Sequence, residues 1–148
     1  MSSKKNKNIH FKLVGIKTSQ FAIIEDNFKK EEDTDLNVKV NYGVDPDNHG
    51  VAVVFNVRFD CNKKPFLILE VEHHYSIKQE DWNSLLSEDG KTLNLSLDLA
   101  RHLTVLTVGT TRGVLHSKVE NTPYHQLILP TIDLTQFIKK PIDITLKA

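Results

Sequence analysis

The sequence predicts an α+β domain: a four-stranded antiparallel sheet with a long helix and a short C-terminal helix packed on one face. Three observations predict it. Residues 36–44 alternate apolar and polar side chains, and Val51, Val53, Phe55, Val57 and Phe59 repeat the apolar period of two. Short runs of turn-forming residues separate consecutive strand segments. A helical pattern from about Asn94 to Val119 carries no charge between Leu103 and Thr111. The 148 residues correspond to one domain over 9–148, behind a polar, lysine-rich tail over 1–8 expected to be disordered.

Taken in order, Ile9–Glu25 is apolar and β-branched, with Phe11, Leu13, Ile16, Phe21 and Ile23. Its apolar positions change parity, which reads as a strand with a bulge or bend near Thr18-Ser19-Gln20. A charged connection, Lys29–Asp35, leads to Leu36, Val38, Val40, Tyr42 and Val44, all on one face of a second strand. Val51, Val53, Phe55, Val57 and Phe59 repeat the pattern. Period two over this length means strands buried on one face. The link from Asp45 to Gly50 reads as a hairpin turn, and Asn62–Pro65 as a second turn into a strand over Phe66–Ile77.

Glu80–Leu86 reads as a short helix. The long helix then has one seam of Leu99, Leu103, Leu106, Thr110, Gly113 and Ser117, and a second of Ala100, Thr104, Thr107 and Thr111. Apolar and small residues on every side require burial on several sides, so an oligomer with this helix at its centre is expected. Gly109 and Gly113 each cost about 1 kcal/mol relative to alanine, tolerable where another backbone packs close. Thr131–Lys140 reads as a second helix ended by Pro141, and Ile142, Ile144 and Leu146 alternate behind it.

Composition excludes several classes. Lys plus Arg is 19 and Asp plus Glu is 19, so the formal charge is zero, against a phosphate-binding nucleic-acid partner. No apolar run approaches the ~18 residues a membrane span needs. The first eight residues lack the apolar stretch of a secretory signal. A single cysteine, Cys61, excludes an intramolecular disulfide and a cysteine zinc cage, and a reducing, cytoplasmic setting is the expectation.

Candidate chemistry is sparse. On the fourth strand Glu70, Glu72 and His74 share a face and could bind a metal or shuttle protons; a solvated or partner-facing polar face is the plainer reading. His73 and His74 are adjacent and must point to opposite faces. His102 and His116, the latter four residues before Glu120, read as surface or subunit contacts. Asp45, Asp47 and Asn48 lack the full spacing of a calcium loop and read as a turn. There is no nucleophile elbow and no phosphate-binding glycine loop. No catalytic residue, metal or cofactor is expected. The surplus of apolar faces points instead to assembly and to a groove for apolar segments of other chains.

The order of elements, together with Leu99-Ala100-Arg101, Thr111-Arg112-Gly113 and Leu127-Ile128-Leu129-Pro130-Thr131-Ile132-Asp133, resembles the SecB family of export chaperones over about residues 9–140. The resemblance implies ATP-independent holding of unfolded polypeptides by a cytoplasmic homotetramer, a dimer of dimers. First strands and long helices would build the dimer, with Leu103, Leu106, Thr110 and Gly113 in the oligomer interface. Client segments would lie in a groove of Phe28, Val40, Tyr42, Leu134, Phe137 and Ile138. The family's contact with the SecA translocase motor maps to Gln20, Ile68 and Glu70.

This chain departs from the family there: Gln20 and Ile24 stand where acids are expected, with Glu25 adjacent. Leu97-Asp98 replaces an aromatic-proline pair, with Asp98 a candidate helix cap, and the glycines after the fourth strand are absent. The departures favour binding of unfolded chains over delivery to SecA. Some relatives protect an antitoxin, so a chaperone dedicated to an antitoxin or another single client is the first alternative. A small α+β ligand-binding protein or enzyme using Glu70, Glu72 and His74 is the alternative of a different class, and an oligomer without a client groove is the third.

Overall fold

The computed structural model describes residues 8–146; apart from the exposed Asn8, the expected polar tail lies outside them. Strands β1 (Phe11–Ile23), β2 (Thr34–Asp45), β3 (Gly50–Cys61) and β4 (Lys64–Ile77) form one antiparallel sheet in the order β1-β4-β3-β2. Helix α1 (Gln79–Leu85) and strand β5 (Thr92–Leu95) precede the long helix α2 (Leu97–Val119). Helix α3 (Leu134–Phe137) and strand β6 (Ile142–Thr145) close the described chain, and β5 and β6 pair as a second, two-stranded sheet.

The hairpins follow from their turn residues. Between β2 and β3, Pro46–Asn48 make one tight helical turn, and His49 takes a left-handed conformation at φ 50° to reverse the chain. Between β3 and β4, Asn62 and Lys63 both have positive φ, 52° and 65°, the twist that a two-residue hairpin loop requires. Strand β1 slips register against β4 between Leu13 and Gly15 and again between Thr18 and Gln20. The second slip is the bulge expected near Ser19. Two slips explain the changing parity. Phe11, Leu13, Ile16, Thr18, Phe21 and Ile23 are all paired with inward-facing residues of β4.

The core lies between the sheet and α2. Val53, Phe55, Val57, Leu69 and Val71 are fully buried on the sheet's inner face. Against them α2 lays its threonine seam and the start of its leucine seam: Thr104, Thr107 and Thr111 are fully enclosed, as are Ala100 and Leu103. Each hydroxyl donates to the carbonyl four residues earlier, Thr104 to Ala100 at 2.7 Å, Thr107 to Leu103 at 2.9 Å and Thr111 to Thr107 at 2.8 Å. A threonine so bonded presents mainly its methyl to the sheet, and burial leaves no polar atom wanting.

Four expectations need correction. The long helix does not begin at Asn94. Residues 92–95 are β5, whose Leu93 and Leu95 face the core and pair with Ile144 and Ile142. The cap is Ser96, whose hydroxyl accepts from the Leu99 amide at 3.1 Å; Asp98 sits within the first turn. The helix expected over Thr131–Lys140 shrinks to Leu134–Phe137, capped by Asp133. The Thr135 and Ile138 carbonyls bond to Arg101 instead of continuing a helix. Leu103, expected in an oligomer interface, is enclosed by its own chain, whereas Leu106 of the same seam is 41% exposed.

His73 is 1% exposed beneath α2. Its Nδ1 lies 2.7 Å from the Tyr75 hydroxyl, which itself donates to the Leu103 carbonyl, and its Nε2 is buried without a partner among the described residues. Burial, reinforced by the neighbouring His74, pushes its pKa below the ordinary 6.5. The folded chain therefore resists a proton that the unfolded chain accepts. Stability should be level above pH about 6.5 and fall as the pH drops below that value toward the lowered pKa. Urea midpoints measured between pH about 7.5 and about 5 should decline, and His73→Gln should flatten much of that decline. An equal decline in the variant would place the effect elsewhere.

Candidate functional site

The segment after α2 is held by side chains rather than by regular backbone pairing. Residues 127–133 have no regular structure, yet Leu129 is fully buried. Arg112 donates from Nε to the Leu129 carbonyl at 2.7 Å and from Nη2 to the Pro130 carbonyl at 2.8 Å. Arg101 donates from Nε to the Ile138 carbonyl at 2.9 Å and from Nη2 to the Thr135 carbonyl at 3.2 Å. The two arginines lie about three turns apart on α2, hence on one face. Each fork spans two carbonyls, a geometry that a lysine ammonium lacks. The segment thus becomes a strap along α2, its path set at both ends.

Where the chain runs on from α3 to β6 past the edge of the sheet, it leaves a groove of about 610 Å³. Val40 and Tyr42 of β2, Phe137 and Ile138 at the end of α3, and Ile142 and Ile144 of β6 supply its apolar lining. Tyr42 is tied to α2 through a 2.6 Å hydrogen bond between its hydroxyl and Thr104 Oγ1. Burial pushes the Tyr42 phenol above its ordinary pKa, against the smaller lowering effect of that bond, so it is neutral at physiological pH. Phe137 stands edge-on to Phe55 of the core at 6.5 Å. Both β2 and β6 are edge strands, so backbone groups along the groove face outward. The lining offers shape, apolar surface and free strand edges.

The structure brings together Val40, Tyr42, Phe137 and Ile138 of the expected groove residues. Phe28 is elsewhere, packed on Phe66 at 4.9 Å and Tyr124 at 5.2 Å, where the charged connection crosses the core's other end. Leu134 is half-buried on α3 and does not line the groove. Ile142 and Ile144 were legible as an alternating tail, but their partner strand was not. The Arg101 and Arg112 motifs were visible in the sequence; their bonds to the strap were not.

On the sheet's outer face Gln20 and Glu70 are direct cross-strand partners, and Ala22 pairs with Ile68 one step along. The Glu70 carboxylate accepts from Ser19 Oγ at 2.8 Å and Asn56 Nδ2 at 3.3 Å. His74 Nε2 lies 3.2 Å from Glu72 Oε1 on the same face. Among the described residues no three His, Cys, Asp or Glu side chains are grouped so as to hold a metal ion. Cys61 is buried, its thiol beside the Lys29 backbone.

A third surface is apolar and open. Leu13 is 45% and Ile16 52% exposed on the inner face of β1, while Val105 is 50% and Leu106 41% exposed on α2. A side chain at Gly109 or Gly113 would meet nothing within 4 Å. The close-packed neighbour expected at these glycines is therefore not among the described residues.

No family model matches the sequence, and no curated protein matches it. Among solved structures, the Mycobacterium tuberculosis Rv1957 SecB-like chaperone, in complex with a ChAD peptide from the Rv1956 HigA1 antitoxin, superposes with a TM-score of 0.52 at 12% identity. The match covers 82% of this chain and 90% of that one. At such identity the likeness is one of fold, and the α+β fold expected from the sequence is the SecB-like fold. A protein of unknown function from Streptococcus agalactiae matches over 84% of this chain and 99% of its own at 13% identity, but its TM-score of 0.31 carries no argument.

Arg112→Ala should lower stability by about 1–2 kcal/mol, the net worth of hydrogen bonds from a charged donor that is partly exposed. Arg112→Lys should recover less than half of that loss. Urea unfolding measures both, and limited proteolysis should find new cleavage within residues 125–133 of the alanine variant.

Proposed function

We propose that this protein is an ATP-independent chaperone that holds unfolded polypeptide segments in the groove between β2, α3 and β6. The observation that carries this reading is the groove itself, apolar along three elements in a chain with the SecB-like fold. An apolar client side chain leaving water gains about 1.5–3 kcal/mol, and ordering of the client offsets much of that. Several such subsites acting on one chain add through effective concentration, so holding needs neither a sequence motif nor a nucleotide. A cytoplasmic setting belongs to this reading.

The proposed assembly is a homotetramer, a dimer of dimers, in which β1 and α2 meet their counterparts. The open face of Leu13, Ile16, Val105 and Leu106 supports it, with Thr110 and Gly113 along the same side of the helix. Gln20, Ile68 and Glu70 would meet a translocase motor if the chaperone serves general export. The antitoxin peptide held by the Mycobacterium neighbour favours the second version, a chaperone dedicated to one client. Loss of protection on removing a short tail from a single client would distinguish it.

Stoichiometric protein should suppress aggregation of a slow-folding, export-type polypeptide, and Phe137→Asp should weaken binding roughly tenfold with an unchanged circular dichroism spectrum. Aggregation at the same rate with and without the protein would end the reading. Light-scattering mass should correspond to a tetramer, and Ile16→Lys with Leu106→Lys should reduce it to the single-chain mass.

A further inference from the structure

Resting on the groove as the client site, we propose that its preferred clients are extended apolar segments flanked by acidic residues. The charge around the groove is uneven in a chain whose formal net charge is zero. From β2 the lining brings Val40, Asn41 and Tyr42, all uncharged at neutral pH. The link between α3 and β6 brings Lys139 and Lys140, both exposed. Strand β6 brings one acid, Asp143, and the neutral Ile142, Ile144 and Thr145.

Among the described residues, two cations therefore face one anion around an apolar floor. Neither lysine has an ion-pair partner among the described residues. Their long stems let each ammonium swing along the rim while the backbone stays in place. A client that seats apolar side chains in the groove brings its flanking residues to this rim. Carboxylates there meet unpaired ammonium groups, whereas basic flanks meet like charge. The apolar lining sets the affinity common to all clients, and the lysine pair selects among them.

The experiment uses peptides sharing one apolar core and differing only in flanks: aspartate and glutamate, lysine and arginine, or serine. Binding to the full-length protein is read by fluorescence anisotropy. The acidic peptide should bind roughly fivefold tighter than the basic one at low salt, and about 0.5 M salt should close most of the gap. Lys139→Glu with Lys140→Glu should reverse the order, and the double glutamine variant should abolish it. Both lysines are exposed, so these variants leave the core untouched. Equal binding of acidic and basic peptides, or an order unmoved by charge reversal, overturns the acidic preference while leaving the groove as the client site. Failure of all three peptides to bind overturns the groove reading and this inference with it.

Discussion

Two guanidinium groups fix the path of the chain that leads from α2 into the groove. The strap from Leu127 to Asp133 has no ladder of its own, and its buried backbone needs partners. Arg112 takes the Leu129 and Pro130 carbonyls, and Arg101 takes those of Thr135 and Ile138. Without these bonds the strap would have to coil into a longer helix or lift into water. With them it runs along α2, carries Phe137 and Ile138 to the sheet, and delivers the chain to β6. Helix α2 meets the sheet through a threonine seam whose hydroxyls donate to its own carbonyls, so burial there leaves them partnered.

The sheet order separates the molecule's two apolar surfaces. Strand β1 lies at one edge and β2 at the other. Leu13 and Ile16 are therefore the sheet's width away from Val40 and Tyr42. A surface for self-association can be used up at the first edge while the groove stays open at the second. The same order explains why one long helix leaves both uncovered. A single helix over four strands covers the middle pair, β3 and β4, and leaves the inner faces of the edge strands partly bare.

Much of the fold is legible in the residues. The period-two apolar series of β2 and β3 needs no partner to be read, because successive side chains on a strand point to opposite faces. The parity change of β1 near Ser19 signals its bulge, although the earlier slip at Val14 is hidden within an apolar run. For the candidate groove, alternation gives Val40 and Tyr42 their face, while their place in a groove, like that of Phe137 and Ile138, comes from the family resemblance. Phe28, assigned to the groove by the same resemblance, packs on Phe66 and Tyr124 instead of beside Val40 and Tyr42, an aromatic contact that spacing does not encode.

The sequence by itself determined the four strands of the main sheet, the turns between them and the existence of a long helix whose middle carries no charge. All of these rest on interactions within a few residues. Tertiary structure alone decided which seam of α2 faces the sheet, that Thr92–Leu95 pairs with Ile142–Thr145, and that the last helix stops after one turn. Each of those outcomes is a competition between a local preference and a partner distant in the chain. The partner won because a buried carbonyl or an unpaired strand costs more than the local preference supplies.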